Sequence, residues 1–271
     1  MLIRLGYDIQ FSLPAPVSIV AMLHVHPSRR ADLRQPDEMR TEPFLPVSRY
    51  QDSFGNLCSR IAAPAGSLSL SAEGLIEDSG APDPINTAAR ELPVDALPNE
   101  VLQYLLSSRY CEVDSLSAIA TDLFGGTPPG WGRVYAICTW VNTHVRFGYP
   151  FARPTRTALE TFIERVGVCR DFQHLAVTFC RALNIPARYV TGYLGDFGFP
   201  ASGPMDFSAW FEVYLDGRWW TFDARHNIPR IGRVLIAVGR DAADVAITTS
   251  FGTADLTHFT VITEEAAADV L

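Results

Sequence analysis

The chain has 271 residues, 48% apolar and 19% charged, enough for one large or two medium globular domains with sizeable cores. Its net charge of −8 argues against nucleic-acid or anionic-membrane partners. All 22 Lys+Arg positions are arginine, so the chain carries no lysine side-chain amine.

Met1 to Gln10 reads as an amphipathic strand, not a basic leader before an apolar run, and no stretch approaches about 18 uninterrupted apolar residues. The runs 3–11, 17–25, 57–62 and 66–75 are alternating or β-favouring, with a turn signal at Asp52-Ser53-Phe54-Gly55-Asn56. They predict a small β-sandwich-like domain over residues 1–90. The stretch Glu77-Asp78-Ser79-Gly80-Ala81-Pro82-Asp83-Pro84 breaks the pattern as a linker, and a second domain is expected over 98–262. Helical periodicity appears over 98–108 and 131–145. Between them Leu123-Phe124-Gly125-Gly126-Thr127-Pro128-Pro129-Gly130 is a loop, where prolines break a helix and glycines disfavour one.

Cys169 follows in Gly167-Val168-Cys169-Arg170-Asp171-Phe172, ahead of an apolar helical run carrying Leu175, Val177, Phe179, Ala182 and Leu183. Asp171 suits a first helical turn, and Asn184 with Pro186 suits a helix stop. The cysteine therefore stands at or just before a helix N-terminus. There the partial positive charge and free N–H groups favour a thiolate, and Arg170 adds to this. The alternative is a small buried apolar residue, as free cysteines commonly are. The other four, Cys58, Cys111, Cys138 and Cys180, form no Cys-x-x-Cys pair. The set predicts neither disulfides nor zinc, and a cytoplasmic, reducing location.

After Pro186 the pattern turns to short aromatic or β-branched strands over 188–193, 209–215, 219–223 and 234–237, with Asp216-Gly217 as a hairpin turn. The aromatic, glycine-rich stretch from Phe197 to Met205 is either a lid or a connector. The tail over 264–268 reads as frayed.

These segments together resemble the transglutaminase-like core of bacterial cysteine proteases. The resemblance rests on Gly-Val-Cys-Arg-Asp-Phe with His174-Leu175, on Ile185-Pro186-Ala187-Arg188-Tyr189-Val190-Thr191-Gly192-Tyr193, on Ser208-Ala209-Trp210-Phe211-Glu212-Val213-Tyr214, and on Trp219-Trp220-Thr221-Phe222-Asp223. It covers about residues 100–255. It implies an α+β, papain-like fold of helices packed on an antiparallel sheet, preceded by the β-sandwich-like domain, and acyl transfer through a Cys169 thioester. Cys169 should face Ser208 and Asp223 on adjacent antiparallel strands. One departure stands out. The family's histidine precedes Ala-Trp, and Ser208 holds that place here. A serine hydroxyl cannot take a proton near neutral pH, and Asp223, in the family's orienting position, is left with no imidazole there to orient.

Among the six histidines, His174 lies five residues past Cys169 and so points about 140° away on the same helix. His144 is expected to be structural, and His24 and His26 lack a third metal ligand. His226, three residues after Asp223, either caps backbone groups in its loop or folds back as a substitute base. On a strand, Asp206, Ser208, Trp210 and Glu212 would share one face. Asp206 and Trp210 are then candidate substrate contacts, with Glu212 paired to Arg218 or Arg225. No phosphate loop or calcium-loop spacing is present, so no cofactor and no metal are expected. Two functions remain: a transglutaminase-like thiol acyltransferase or cysteine protease/amidase acting on protein or peptide amides, or an inactive member using its cleft to bind peptides or proteins. Nothing in the sequence sets an oligomeric state.

Overall fold

The computed structural model describes residues 1–199 and 205–266. Its first half is built by period-two alternation. β1 (Leu2–Leu13) buries Ile3, Leu5, Tyr7, Ile9, Phe11 and Leu13, which a strand places on one face. β2 (Val17–Ala21), β3 (Leu33–Gln35), β4 (Arg40–Glu42), β5 (Val47–Gln51), β6 (Leu57–Ala63) and β7 (Gly66–Glu77) follow. Between β5 and β6 the Asp52 carboxylate accepts the N–H groups of Phe54 and Asn56 at 2.8 and 2.9 Å, the side-chain turn that favours Asp at such positions.

The helical region comprises α1 (Asn99–Leu102), α2 (Val113–Phe124), α3 (Trp131–His144), β8 (Arg146–Phe147), α4 (Ala158–Glu164), β9 (Val166–Gly167) and α5 (Cys169–Ala182). The helix expected over 98–108 is only a turn of α-helix followed by a 3₁₀ turn, Gln103–Leu105. Leu106 is extended there, and its carbonyl is taken by the buried Arg181 at 3.0 Å, not by a helical N–H. Next come β10 (Ala187–Leu194), β11 (Ser208–Leu215), β12 (Arg218–Phe222), β13 (Arg233–Gly239), β14 (Thr248–Phe251) and β15 (Asp255–Glu265). The centre of the aromatic stretch before β11, residues 200–204, and the end of the tail, 267–271, lie outside the described residues. Glu264 and Glu265 belong to β15.

Three antiparallel sheets result. Two form the N-terminal sandwich, in the orders β15-β1-β7-β3 (with β4 also on β7) and β14-β2-β6-β5; the third runs β12-β11-β10-β13. Residues 248–265 return to the sandwich, with β15 pairing to β1 from Ile3↔Glu265 to Ser12↔Asp255 and β14 pairing to β2. The sandwich core also continues into Tyr189, Tyr193, Phe207, Val234 and Ile236, around the third sheet. A second core joins Phe211, Val213 and Leu215 of β11 to Ile137, Val141, Leu175 and Phe179 of the helices. α5 runs through this packing, and every residue from Asp171 to Arg181 is buried, the behaviour of a helix covered all round.

Two glycines permit close approaches around the site. A Cβ on Gly167 would lie 2.6 Å from the Asp171 Cβ, and one on Gly192 would lie 2.3 Å from the Val234 carbonyl oxygen and 2.4 Å from the Trp210 ring. The second clash is against backbone and a buried indole, neither of which yields easily. Gly192→Ala should therefore cost about 1–3 kcal/mol in chemical denaturation. Gly126→Ala, with nothing within 4 Å, should stay within about 0.5 kcal/mol. Equal effects at the two positions would contradict this packing.

Candidate active site

Cys169 is the first residue of α5, after the extended residue Val168. The Asp171 carboxylate accepts the Val168 N–H at 2.9 Å, closing the first turn as an N-terminal acid does. Asp171 is in turn held by Arg156 at 3.3 Å and by Arg170 at 3.4 Å. Of the five cysteines only Cys169 is partly exposed. Burial pushes its thiol up; the Arg225 guanidinium pulls it down, the Asp206 carboxylate pushes it up again, and the N–H groups of Ala209 and Arg170 favour the thiolate, leaving it at about 11. The expectation of an easily ionised thiol is corrected accordingly, because desolvation of the thiolate exceeds the help of the helix terminus. The Arg170 guanidinium is engaged with the Arg153 carbonyl and with Asp171.

Ser208 opens β11 opposite Gly192, and Asp223 follows the end of β12, the antiparallel neighbour of β11. The Ser208 hydroxyl is buried with no hydrogen-bond partner among the described residues. Asp223 is crowded with donors. Gln173 Nε2 donates at 2.9 Å, the backbone N–H groups of Arg225 and His226 at 2.9 and 3.2 Å, and Arg233 at 3.0 Å. Burial raises the Asp223 carboxyl, but Arg233 and the hydrogen bonds and charge of His226 overcome this and hold it well below the usual carboxylate range. His226 Nδ1 lies 2.8 Å from Asp223 Oδ2. A carboxylate only accepts, so Nδ1 carries a proton, and Nε2 is the ring nitrogen that Asp223 leaves unengaged. Asp223 thus does hold an imidazole, one supplied from the loop after β12.

His226 and Ser208 line one cavity of about 50 Å³ together with Tyr149, Asp206, Arg225 and Arg230. Cys169 is not one of its lining residues, but Arg225 and Asp206, which are, act on its thiol electrostatically. Trp210 does not line this cavity. It is 2% exposed, packs with Val190 and Val238, and lies over Gly192 with Arg233 stacked on it. Glu212 pairs with Arg188 at 2.7 Å, not with Arg218 or Arg225, because Arg188 stands directly opposite it on β10. His174 is buried and accepts the Ala242 N–H at 3.1 Å; His144 is exposed and stacked on Trp140; His24 bonds Ser59 and the Asp37 carbonyl. A larger, mainly apolar cavity of about 380 Å³ touches Asp223 but not Cys169, Ser208 or His226. Among the described residues no group of three or more His, Cys, Asp or Glu could hold a metal ion, and no helix is long and apolar enough to cross a membrane.

Two residues that matter here were not singled out from sequence. Gln173 staples α5 to Asp223, to the Ala209 carbonyl at 3.2 Å and to the Ala224 N–H at 3.1 Å. Its signal was available, because four residues past Cys169 on a helix is the same face. Arg233 left no local signal; it arrives from β13 and bridges Asp223 to Asp83.

The family model of the transglutaminase-like superfamily matches residues 117–224, a span that contains Cys169, Ser208 and Asp223 and stops two residues before His226. A crystal structure described as a "putative cysteine protease" from Cytophaga hutchinsonii superposes with a TM-score of 0.87 at 30% identity, over 100% of this chain and 92% of that one. The "Uncharacterized protein ML0607" of Mycobacterium leprae is 25% identical over 219 residues, 78% of this chain and 77% of its own.

The environment of the thiol sets its pH response. Iodoacetamide labelling, with sites read by mass spectrometry, should be fastest at Cys169 and keep rising with pH towards about 11. Asp206→Asn removes a charge that opposes the thiolate, so it should move the rising limb to lower pH. A rate already level below pH 8 would contradict this and indicate a preformed thiolate.

Proposed function

We propose that this chain, which belongs to the transglutaminase-like superfamily, is a thiol acyltransferase or amide hydrolase in which the base has moved from the strand to the loop. Cys169 is the nucleophile, His226 the base and Asp223 the orienting carboxylate, with Ser208 in the place where the family resemblance expects histidine. The observation that carries this is the 2.8 Å bond between the His226 ring and Asp223, in a cavity that His226 shares with Ser208.

The chemistry follows from the protonation states. A thiol at about 11 is neutral at rest, so His226 Nε2 takes its proton as the sulfur attacks the amide carbonyl of a peptide bond or a glutamine side chain. Free N–H groups at the start of α5 stabilise the tetrahedral oxyanion. The imidazolium then protonates the departing amine, leaving a Cys169 thioester. Water or an external amine resolves it; with no lysine in the chain, no lysine side chain of its own can. Asp206 borders the substrate, and Trp210 supports the strand from beneath. The substrate is a peptide or protein. The elevated thiol favours a second reading, a cleft that binds peptides without turning them over.

Turnover of amide and thioester model substrates separates the two. Wild type should be active, Cys169→Ala inactive, and His226→Ala or Asp223→Asn slower by about 10²–10⁴-fold. Ser208→His should add little if His226 already serves. An inert wild type in which Ser208→His creates activity would place the missing base at 208 and refute the role of His226. Inert wild type and inert Ser208→His would favour the binding cleft.

A further inference from the structure

Arg225 stands in the site with its hydrogen-bonding edge unused. Its backbone is fixed from both sides: its N–H donates to Asp223 at 2.9 Å, and its carbonyl accepts from Asn142 Nδ2 at 2.6 Å. The guanidinium carbon lies 3.8 Å from the centre of the Phe147 ring. Such stacking occupies the face of the group and leaves its N–H fork free. Among the described residues no acceptor takes a hydrogen bond from that fork and no carboxylate is paired with it. The neighbouring arginines differ: Arg230 is paired with Asp196, Arg233 with Asp83 and Asp223, and Arg156 with Glu164 and Asp171. Asp206 lines the same cavity and feels the charge of Arg225, but no salt bridge joins the two, so the N–H fork stays open. A half-buried guanidinium with an open fork, beside a nucleophile, suits one kind of ligand group. A carboxylate matches that fork with two parallel hydrogen bonds.

We propose that Arg225 is the receptor for a carboxylate carried by the acyl donor close to the carbonyl that Cys169 attacks. The cleft then favours peptides with an acidic side chain, or a free C-terminal carboxylate, next to the reacting amide. This rests on the reading of Cys169 as the nucleophile, and it names the charge class of that nucleophile's substrate.

Two reagents test it without requiring turnover. Iodoacetate and iodoacetamide attack the same thiolate, so the ratio of their rates at Cys169 cancels the thiol's ionisation and reports only the pull on the reagent's carboxylate. The ratio should exceed that of free cysteine by about fivefold, the scale of one charge pair in water at contact distance. Arg225→Gln should lower it to the free-thiol value or below, because Asp206 then acts on the site unopposed, and Arg225→Lys should keep most of it. Should Arg225→Gln fail to fold, Phe147→Leu unseats the guanidinium and should lower the ratio. Calorimetry on Cys169→Ala protein then compares three peptides: neutral and amidated, glutamate-containing and amidated, and neutral with a free C-terminus. One of the two anionic peptides should bind about tenfold tighter than the neutral one, and which one identifies the source of the carboxylate. A ratio unmoved by Arg225→Gln, or three equal affinities, overturns the proposal. A ratio that depends on Arg225 in a protein with no turnover would sink the catalytic reading while leaving the carboxylate receptor standing.

Discussion

The buried carboxylate of Asp223 ties together four separate parts of the chain. It takes a hydrogen bond from Gln173 on α5, from its own loop through the backbone and ring of His226, and an ion pair from Arg233 on β13, which continues to Asp83 in the linker. A charge at 5% exposure is costly unless every lone pair is met, so this carboxylate fixes the spacing of whatever surrounds it. Helix, third sheet and linker are thereby referred to one point, and Cys169 stands one helical turn from the Gln173 that reaches it. Removing Asp223 would leave Arg233 buried with half its charge compensation, which links the chemistry of the site to the stability of the fold.

That tether suits the base proposed at 226. An orienting carboxylate can serve any imidazole that reaches it, from a strand or from a loop. The three-residue spacing from Asp223 to His226 closes a turn in which the same carboxylate meets both a backbone N–H and the ring. With the base proposed at 226, position 208 needs no imidazole and holds a small residue, whose buried hydroxyl borders the cavity. Arg233, sharing Asp223 Oδ2 with the ring, spreads the carboxylate's negative charge over two partners.

Much of this was legible in the sequence where local pattern decides the outcome. The alternation from Ile3 to Phe11, the turn chemistry of Asp52, and the start of α5 between Gly167 and Asp171 are short-range features. The transglutaminase-like resemblance rested on motifs of the same kind. Long-range pairing was not legible. Nothing near Asp255 announces that it will lie opposite Ser12, so the return of β14 and β15 to the N-terminal sheets had no local signal. Glu212 pairs with an arginine, as its sequence surroundings suggest, but which arginine, Arg188, is set by the β10–β11 register. The thiol follows the same division. A helix N-terminus can be read from neighbouring residues, whereas the burial that outweighs it is set by packing from distant parts of the chain.

Cys169, His226 and Asp223 are proposed to act as one unit although the imidazole comes from the loop. A crystal structure of the protein with an uncleaved acyl group on Cys169 tests this most directly. The account predicts His226 Nε2 within hydrogen-bonding reach of the thioester sulfur or of the water poised to attack it, about 2.6–3.2 Å, with Nδ1 still bonded to Asp223. An acylated Cys169 with His226 turned away and another group in that place would contradict it.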